Sequence, residues 1–217
     1  MKNQIWKFVC IALLLYTCIG GLLMEVPRLP ILNETIRNLY FHVPMWFGMI
    51  FLFLLSFINA IKFLRTNALE KDILSIEYAN VGILFGVLGC ITGSFWAKYT
   101  WGTWWTNDPK LNGAAIGMLI YLAYLVLRGS FTDELQKARI SAVYNIFAFL
   151  ILIPLLFVLP RLTDSLHPGN GGNPGFNAYD LDNNLRKVFY PAVIGWSMLG
   201  YWIANVNIRI AKLQAAD

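Results

Sequence analysis

Two histidines, His42 and His167, are the only ones in the chain, and they stand 125 positions apart. His42 lies in Tyr40-Phe41-His42-Val43-Pro44-Met45-Trp46, just ahead of an apolar run. A proline in the first turn of a helix sacrifices no needed hydrogen bond, so a helix can start beside this histidine. His167 lies in Asp164-Ser165-Leu166-His167-Pro168-Gly169, a polar connection. A neutral imidazole is a competent metal ligand. Two imidazoles facing each other across a gap suit an octahedral iron whose four equatorial positions a porphyrin already fills. Zinc normally takes more protein ligands than two. Plainer readings stand beside this one: an interfacial histidine bonded to a neighbouring loop at 42, and a solvated loop histidine at 167.

The second concentration of chemistry is Trp101-Gly102-Thr103-Trp104-Trp105-Thr106-Asn107-Asp108-Pro109. Together with Trp96, it packs four of the chain's eight tryptophans into ten positions. Membrane proteins carry aromatic belts at both interfaces, which is the plain reading. The density exceeds what anchoring needs, and a flat aromatic surface suits a flat macrocycle that must be stacked against and kept from water. Asp108 reads as a helix cap, with Asn107 as the other candidate and Pro109 in the first turn. Lys98, Lys110, Arg161, Arg186 and Lys187 are available to pair with carboxylates, or equally to anchor at an interface.

These residues must be held by a membrane protein. Of the 217 residues, 58% are apolar and 13% charged, and the mean hydropathy is +0.57. Such a chain cannot cover a soluble surface with charge, which excludes a soluble enzyme. We expect an all-α integral membrane protein, one domain over residues 1–217, with six transmembrane helices at about 6–24, 40–61, 78–96, 111–127, 140–159 and 188–208. At about 1.5 Å per residue most of these can cross about 30 Å of hydrocarbon. Lys2 and Lys7 before an apolar run resemble a secretory signal, but no Ala-x-Ala pattern follows, so the first run is read as an uncleaved helix. Pro154 should kink the fifth helix. Gly82, Gly86, Gly89 and Gly93 share one face of the third, and Gly113 and Gly117 give the fourth a small-residue patch, so these two helices are expected to pair closely.

With six spans, both termini share a side. Ten Lys and Arg fall on that side and seven on the other, which by the positive-inside rule places the termini in the cytoplasm and residues 97–110 outside. Both histidines then lie outside with the tryptophans. The basic residues form no stripe or patch, so the net charge of +5 marks topology and not a nucleic-acid partner. Cys10, Cys18 and Cys90 lie in apolar runs and form no CxxC pair. No GxxxxGK[ST], GxSxG or HExxH occurs, so energy-driven transport would need a partner.

The run Trp-Gly-Thr-Trp-Trp-x-x-Asp resembles the "WWD" signature of heme-handling proteins in cytochrome c assembly. Phe41-His42-Val43-Pro44 before a span is similar to the histidine motif of the cytochrome c maturation protein C (CcmC) family. Length, six spans and a second histidine before the last span agree over nearly the whole chain. The resemblance implies an inner-membrane protein that binds heme b, non-covalently and transiently, at its periplasmic face. His42 and His167 would be the axial ligands, and Trp101, Gly102, Trp104, Trp105 and Asp108 the platform. It further implies a membrane-anchored, CcmE-like heme chaperone, CcmA- and CcmB-like subunits of an ABC transporter, and a small CcmD-like subunit as partners, with no catalysis of its own. One departure is Asn107, where the family usually has tryptophan. Two alternatives are a heme lyase, whose WWD relatives are larger and richer in histidine, and a small-solute permease. Against the permease, no expected span has an ionisable residue near its centre. Met45, one turn from His42, is the internal competitor as a ligand, but on the same helix it could not reach the opposite face of a porphyrin.

Overall fold

Each apolar run becomes a helix, and the polar residues at its ends decide how far the helix continues. In the computed structural model, which describes residues 4–167 and 181–215, the order is α1 (Ile5–Leu23), a 3-10 segment (Asn33–Asn38), α2 (Leu39–Thr66), α3 (Leu69–Trp101), α4 (Pro109–Gly129), α5 (Glu134–Ile153), a π turn (Pro154–Val158), the short α6 (Leu159–Leu162) and α7 (Asn183–Gln214). No strand occurs among the described residues. Among the described residues, five segments are long and apolar enough to cross a membrane: Ile5–Leu23, Asn33–Thr66, Leu69–Trp101, Pro109–Gly129 and Glu134–Leu162. The expected sixth span falls inside α7, which at 32 residues is long enough but carries Ser197, Asn205 and Asn207 within its apolar run. The chain is therefore a multi-pass, all-helical membrane protein.

The helices outrun the expected spans. With 28 and 33 residues, α2 and α3 extend about 42 and 50 Å at about 1.5 Å per residue. α3 starts at Leu69 and not near 78 because its acidic first turns do not break the helix. Asp72 there is buried and accepts both guanidinium nitrogens of Arg128 from α4, one at 2.8 Å. Between α2 and α3 the chain reverses at Asn67, which takes a left-handed φ of 54° and donates its N–H to the Phe63 carbonyl.

Hydrophobic burial does not draw helices together in lipid, so close packing and interhelical hydrogen bonds must do it. Phe53 of α2 stacks on Tyr121 of α4 at 3.5 Å between ring centroids. Ser56 of α2 and Ser75 of α3 each donate to the other's carbonyl, and Asn145 of α5 donates to both hydroxyls at 2.7 and 3.0 Å. α7 packs on α1, α2 and α3.

The glycines do not pair α3 with α4 as expected. A Cβ at Gly82 would meet Phe53, at Gly89 Trp46 and at Gly93 His42, all on α2; only Gly86 also faces Met118 of α4. The stripe is a bed for the large side chains of α2. The α4 patch faces α5 and its continuation: a Cβ at Gly113 would lie 2.4 Å from the Leu155 carbonyl oxygen, and one at Gly117 2.6 Å from Leu152. Pro154 ends the regular α5 ladder and opens the π turn that carries that carbonyl, as a residue without an N–H must disturb a helix.

Candidate functional site

His42 sits in the first turn of α2, which continues the 3-10 segment without a break; Pro44 therefore lies inside the helix and not at its start as the sequence suggests, and it leaves the helix one N–H short there. Its ring fills the space that Gly93 leaves open: a Cβ at 93 would lie 2.5 Å from Cε1. Nδ1 is 3.0 Å from the Gly89 carbonyl oxygen and 3.1 Å from Thr92 Oγ1. The Thr92 hydroxyl donates to Leu88 at 2.7 Å, so it too faces Nδ1 as an acceptor. A nitrogen facing a carbonyl carries the proton, which makes Nε2 the lone-pair nitrogen. Nε2 accepts from the Trp46 indole at 3.4 Å, a long bond that a stronger partner can displace. Trp46 and Trp96 flank the ring edge-on, with centroids 6.1 and 5.8 Å away.

His167 reaches the same end of the bundle from the segment after α6. Its Nδ1 is 3.0 Å from Asp108 Oδ1, and its ring meets Trp101 edge-on at 5.0 Å. Asp108 caps α4 by accepting from the N–H groups of Lys110 and Leu111, with Pro109 next to it, as the sequence predicts. It also accepts from Ser165 Oγ and the Leu166 N–H. Burial pushes its carboxyl up, but the hydrogen bonds from His167, Leu166 and Ser165 outweigh burial and hold it well below the usual carboxylate range. His42 lies against Trp96 and His167 against Trp101, both in the last two turns of α3, so the fold brings the two histidines to the same end of the bundle. Pro168 and Gly169 of the His167 motif lie outside the described residues.

The tryptophan loop divides. Gly102 ends α3 with φ at 79°, a backbone turn that favours glycine, and a Cβ there would meet nothing within 4 Å. Trp101 lies against His167, whereas Trp104 and Trp105 stay 51% and 43% exposed and face outward. Trp104 touches Phe95 edge-on at 5.1 Å, and its carbonyl accepts from Ser94. The Trp105 indole donates to Asn112, whose amide donates to Asn107 at 2.6 Å. Asn107 thus ties the loop to the first turn of α4. Met45 is buried in the bundle core.

Sequence reading counted Trp96 among the clustered tryptophans but did not assign Trp46, Gly89, Thr92 or Gly93 to the site. The signals were present: Trp46 follows His42 by one helical turn, and the glycines mark where something large must lie. What they cannot carry is the identity of the facing helix. A cleft of about 500 Å³ between α4 and α5, lined by Ile120, Val143, Tyr144 and Phe147 among others, contains neither histidine.

Fold and site together define a multi-pass helical membrane protein with two tryptophan-flanked histidines at one end of its bundle. Residues 1–215 match the family described as "CcmC: Heme exporter protein C", and the chain belongs to that family. It is similar to the heme exporter protein C of Haemophilus influenzae, 27% identical over 185 residues that cover 84% of this chain and 73% of the relative. The Rhodobacter capsulatus protein of the same name is 26% identical over 218 residues, covering 95% and 88%. Cytochrome c biogenesis protein CcsA of Prochlorococcus marinus strain MIT 9515 is 40% identical over 96 residues, which span 44% of this chain and only 30% of that relative.

Proposed function

We propose that this chain holds heme b as a transient cargo between His42 and His167 and hands it to a membrane-anchored heme chaperone. Heme handling in cytochrome c biogenesis goes with the family; the geometry supports a particular way of doing it. The observation that carries this reading is that both histidines have Nδ1 committed to an acceptor, the Gly89 carbonyl for one and the Asp108 carboxylate for the other. Each ring then presents Nε2 as its ligating nitrogen, the arrangement that orients metal-bound imidazoles. Heme brings four equatorial nitrogens and leaves two axial positions for these rings. Trp46, Trp96 and Trp101 shield the ligands, and the outward Trp104 and Trp105 form the surface on which a flat ring is stacked and from which it is passed on. Lys110 and Arg161 suit the propionates.

Given six spans, the ten-to-seven bias in basic residues supports cytoplasmic termini and a periplasmic site in the inner membrane. An impermeant thiol reagent should label Thr103→Cys in intact cells; labelling only after lysis would invert this topology. The chain carries no nucleotide loop, so release is assigned to ABC-transporter and small membrane subunits. To test the function, the chain is purified with and without these partners and the chaperone. A six-coordinate low-spin heme spectrum that transfers to added chaperone is expected, and a chain that never acquires heme would overturn the reading. Similarity to CcsA over 96 residues favours heme attachment to apocytochrome as the second reading; covalent heme on apocytochrome formed by this chain alone would establish it.

A further inference from the structure

The two histidines share a tautomer but not a partner. His42 gives its Nδ1 proton to neutral oxygens, the Gly89 carbonyl and the Thr92 hydroxyl. His167 gives its proton to a carboxylate whose side chain is 1% exposed.

Capping α4 does not account for what Asp108 does. The cap is complete with the Lys110 and Leu111 N–H groups at 2.9 and 3.3 Å, both on Oδ1. Three further bonds go to one short stretch after α6: Ser165 Oγ at 2.8 Å, the Leu166 N–H at 2.7 Å and His167 Nδ1 at 3.0 Å. Both carboxylate oxygens are therefore engaged, and the charge is fixed at the Nδ1 edge of the imidazole. A carboxylate on Nδ1–H draws that proton toward itself and raises the electron density at Nε2, whereas a carbonyl does so far less.

We propose, building on the ligation by His42 and His167 argued above, that Asp108 is a positioning residue that makes His167 the more electron-donating of two unequal axial ligands and biases bound heme toward the ferric state. Its effect runs through His167. It sets the tautomer and orientation of His167, carries the negative charge behind it, and ties that ligand to the end of the tryptophan loop. A stronger donor favours Fe(III) over Fe(II), because the higher charge gains more from the added electron density.

The test is a spectroelectrochemical titration of heme in the full chain, purified with its partners. Asp108→Asn should keep a bis-imidazole low-spin spectrum while ferric affinity falls about tenfold, as loss of a carboxylate partner of a ligating histidine does. With ferrous affinity unchanged, the midpoint potential rises by about 59 mV for that factor. Ser165→Ala loosens the same stretch without touching the Nδ1 bond and should leave the potential where it was. Asp108→Glu should bring it back toward the wild-type value. A shift of the same size from Ser165→Ala, or none from Asp108→Asn, would reduce Asp108 to a structural cap. Should Asp108→Asn not accumulate, ferrous heme in His42→Ala and in His167→Ala decides the matter. The iron–imidazole stretch should be higher when His167 is the remaining ligand, and equal frequencies would overturn the inference. All of these outcomes presuppose a bis-imidazole wild type; its absence would instead sink the ligation itself.

Discussion

At one end of the bundle, where α2 ends and α3 begins, charges are neutralised in pairs: Asp72 with Arg128, Glu70 with Lys212, Glu134 with Lys137. At the other end the described residues hold two histidines, a cluster of tryptophans and one buried carboxylate whose bonds run to a connecting segment. In the first arrangement Asp72–Arg128 and Glu70–Lys212 join helices to helices, and Glu134–Lys137 lies within the first turn of α5. The second joins helix ends to loops and leaves large aromatic rings exposed. The contrast teaches how differently the two ends use their side chains: ion pairs tie α3 to α4 and α7 at one end, and at the other Trp104 and Trp105 stay exposed.

The contrast can be broken from either side. Arg128→Met would strand Asp72, which is buried, and breaking a buried pair from one side costs about 3 to 5 kcal/mol. Thermal unfolding in detergent should show that loss while the heme spectrum of the folded fraction stays as in wild type. A changed spectrum would mean that the two ends are coupled.

Gly93→Ala acts at the aromatic end. The added methyl would lie 2.5 Å from the His42 ring, which must turn out of its place against Gly89. Heme affinity should fall about 10- to 100-fold, the usual cost of disturbing what orients a metal ligand, with little change in unfolding. Titration of the purified variant with hemin reads the affinity. Normal affinity would show that the ring has a second productive position.

The smallest effect sharpens the division within the tryptophan loop. Trp104→Ala and Trp105→Ala should each weaken heme retention by about 0.5 to 1.5 kcal/mol, and the double change should weaken it more. A double variant that retains heme and passes it to the chaperone at the normal rate would make these residues anchors only.

Much of this was legible from residues alone. The positions of both histidines, the Asp108 cap, Pro109 in the first turn and the break at Pro154 follow from local rules about donors, acceptors and φ. Helix length was underestimated, because an acidic first turn looks like a loop until its partner, here Arg128, is known. The glycine stripe was misassigned for a related reason: an absent side chain tells that something approaches closely but not what. His42 and Trp46 of α2, not the glycines of α4, fill that space. The bond between Asp108 and His167 joins positions 59 apart, and no local pattern announces it.

The most direct measurement is the absorption spectrum of heme bound to His167→Ala and to His42→Ala, each with and without free imidazole. Ligation by both histidines predicts that either change opens an axial position, alters the spin state and is partly reversed by imidazole. An unaltered low-spin spectrum in His167→Ala, with delivery to the chaperone unimpaired, would remove that residue and the segment Asp108 holds from the site.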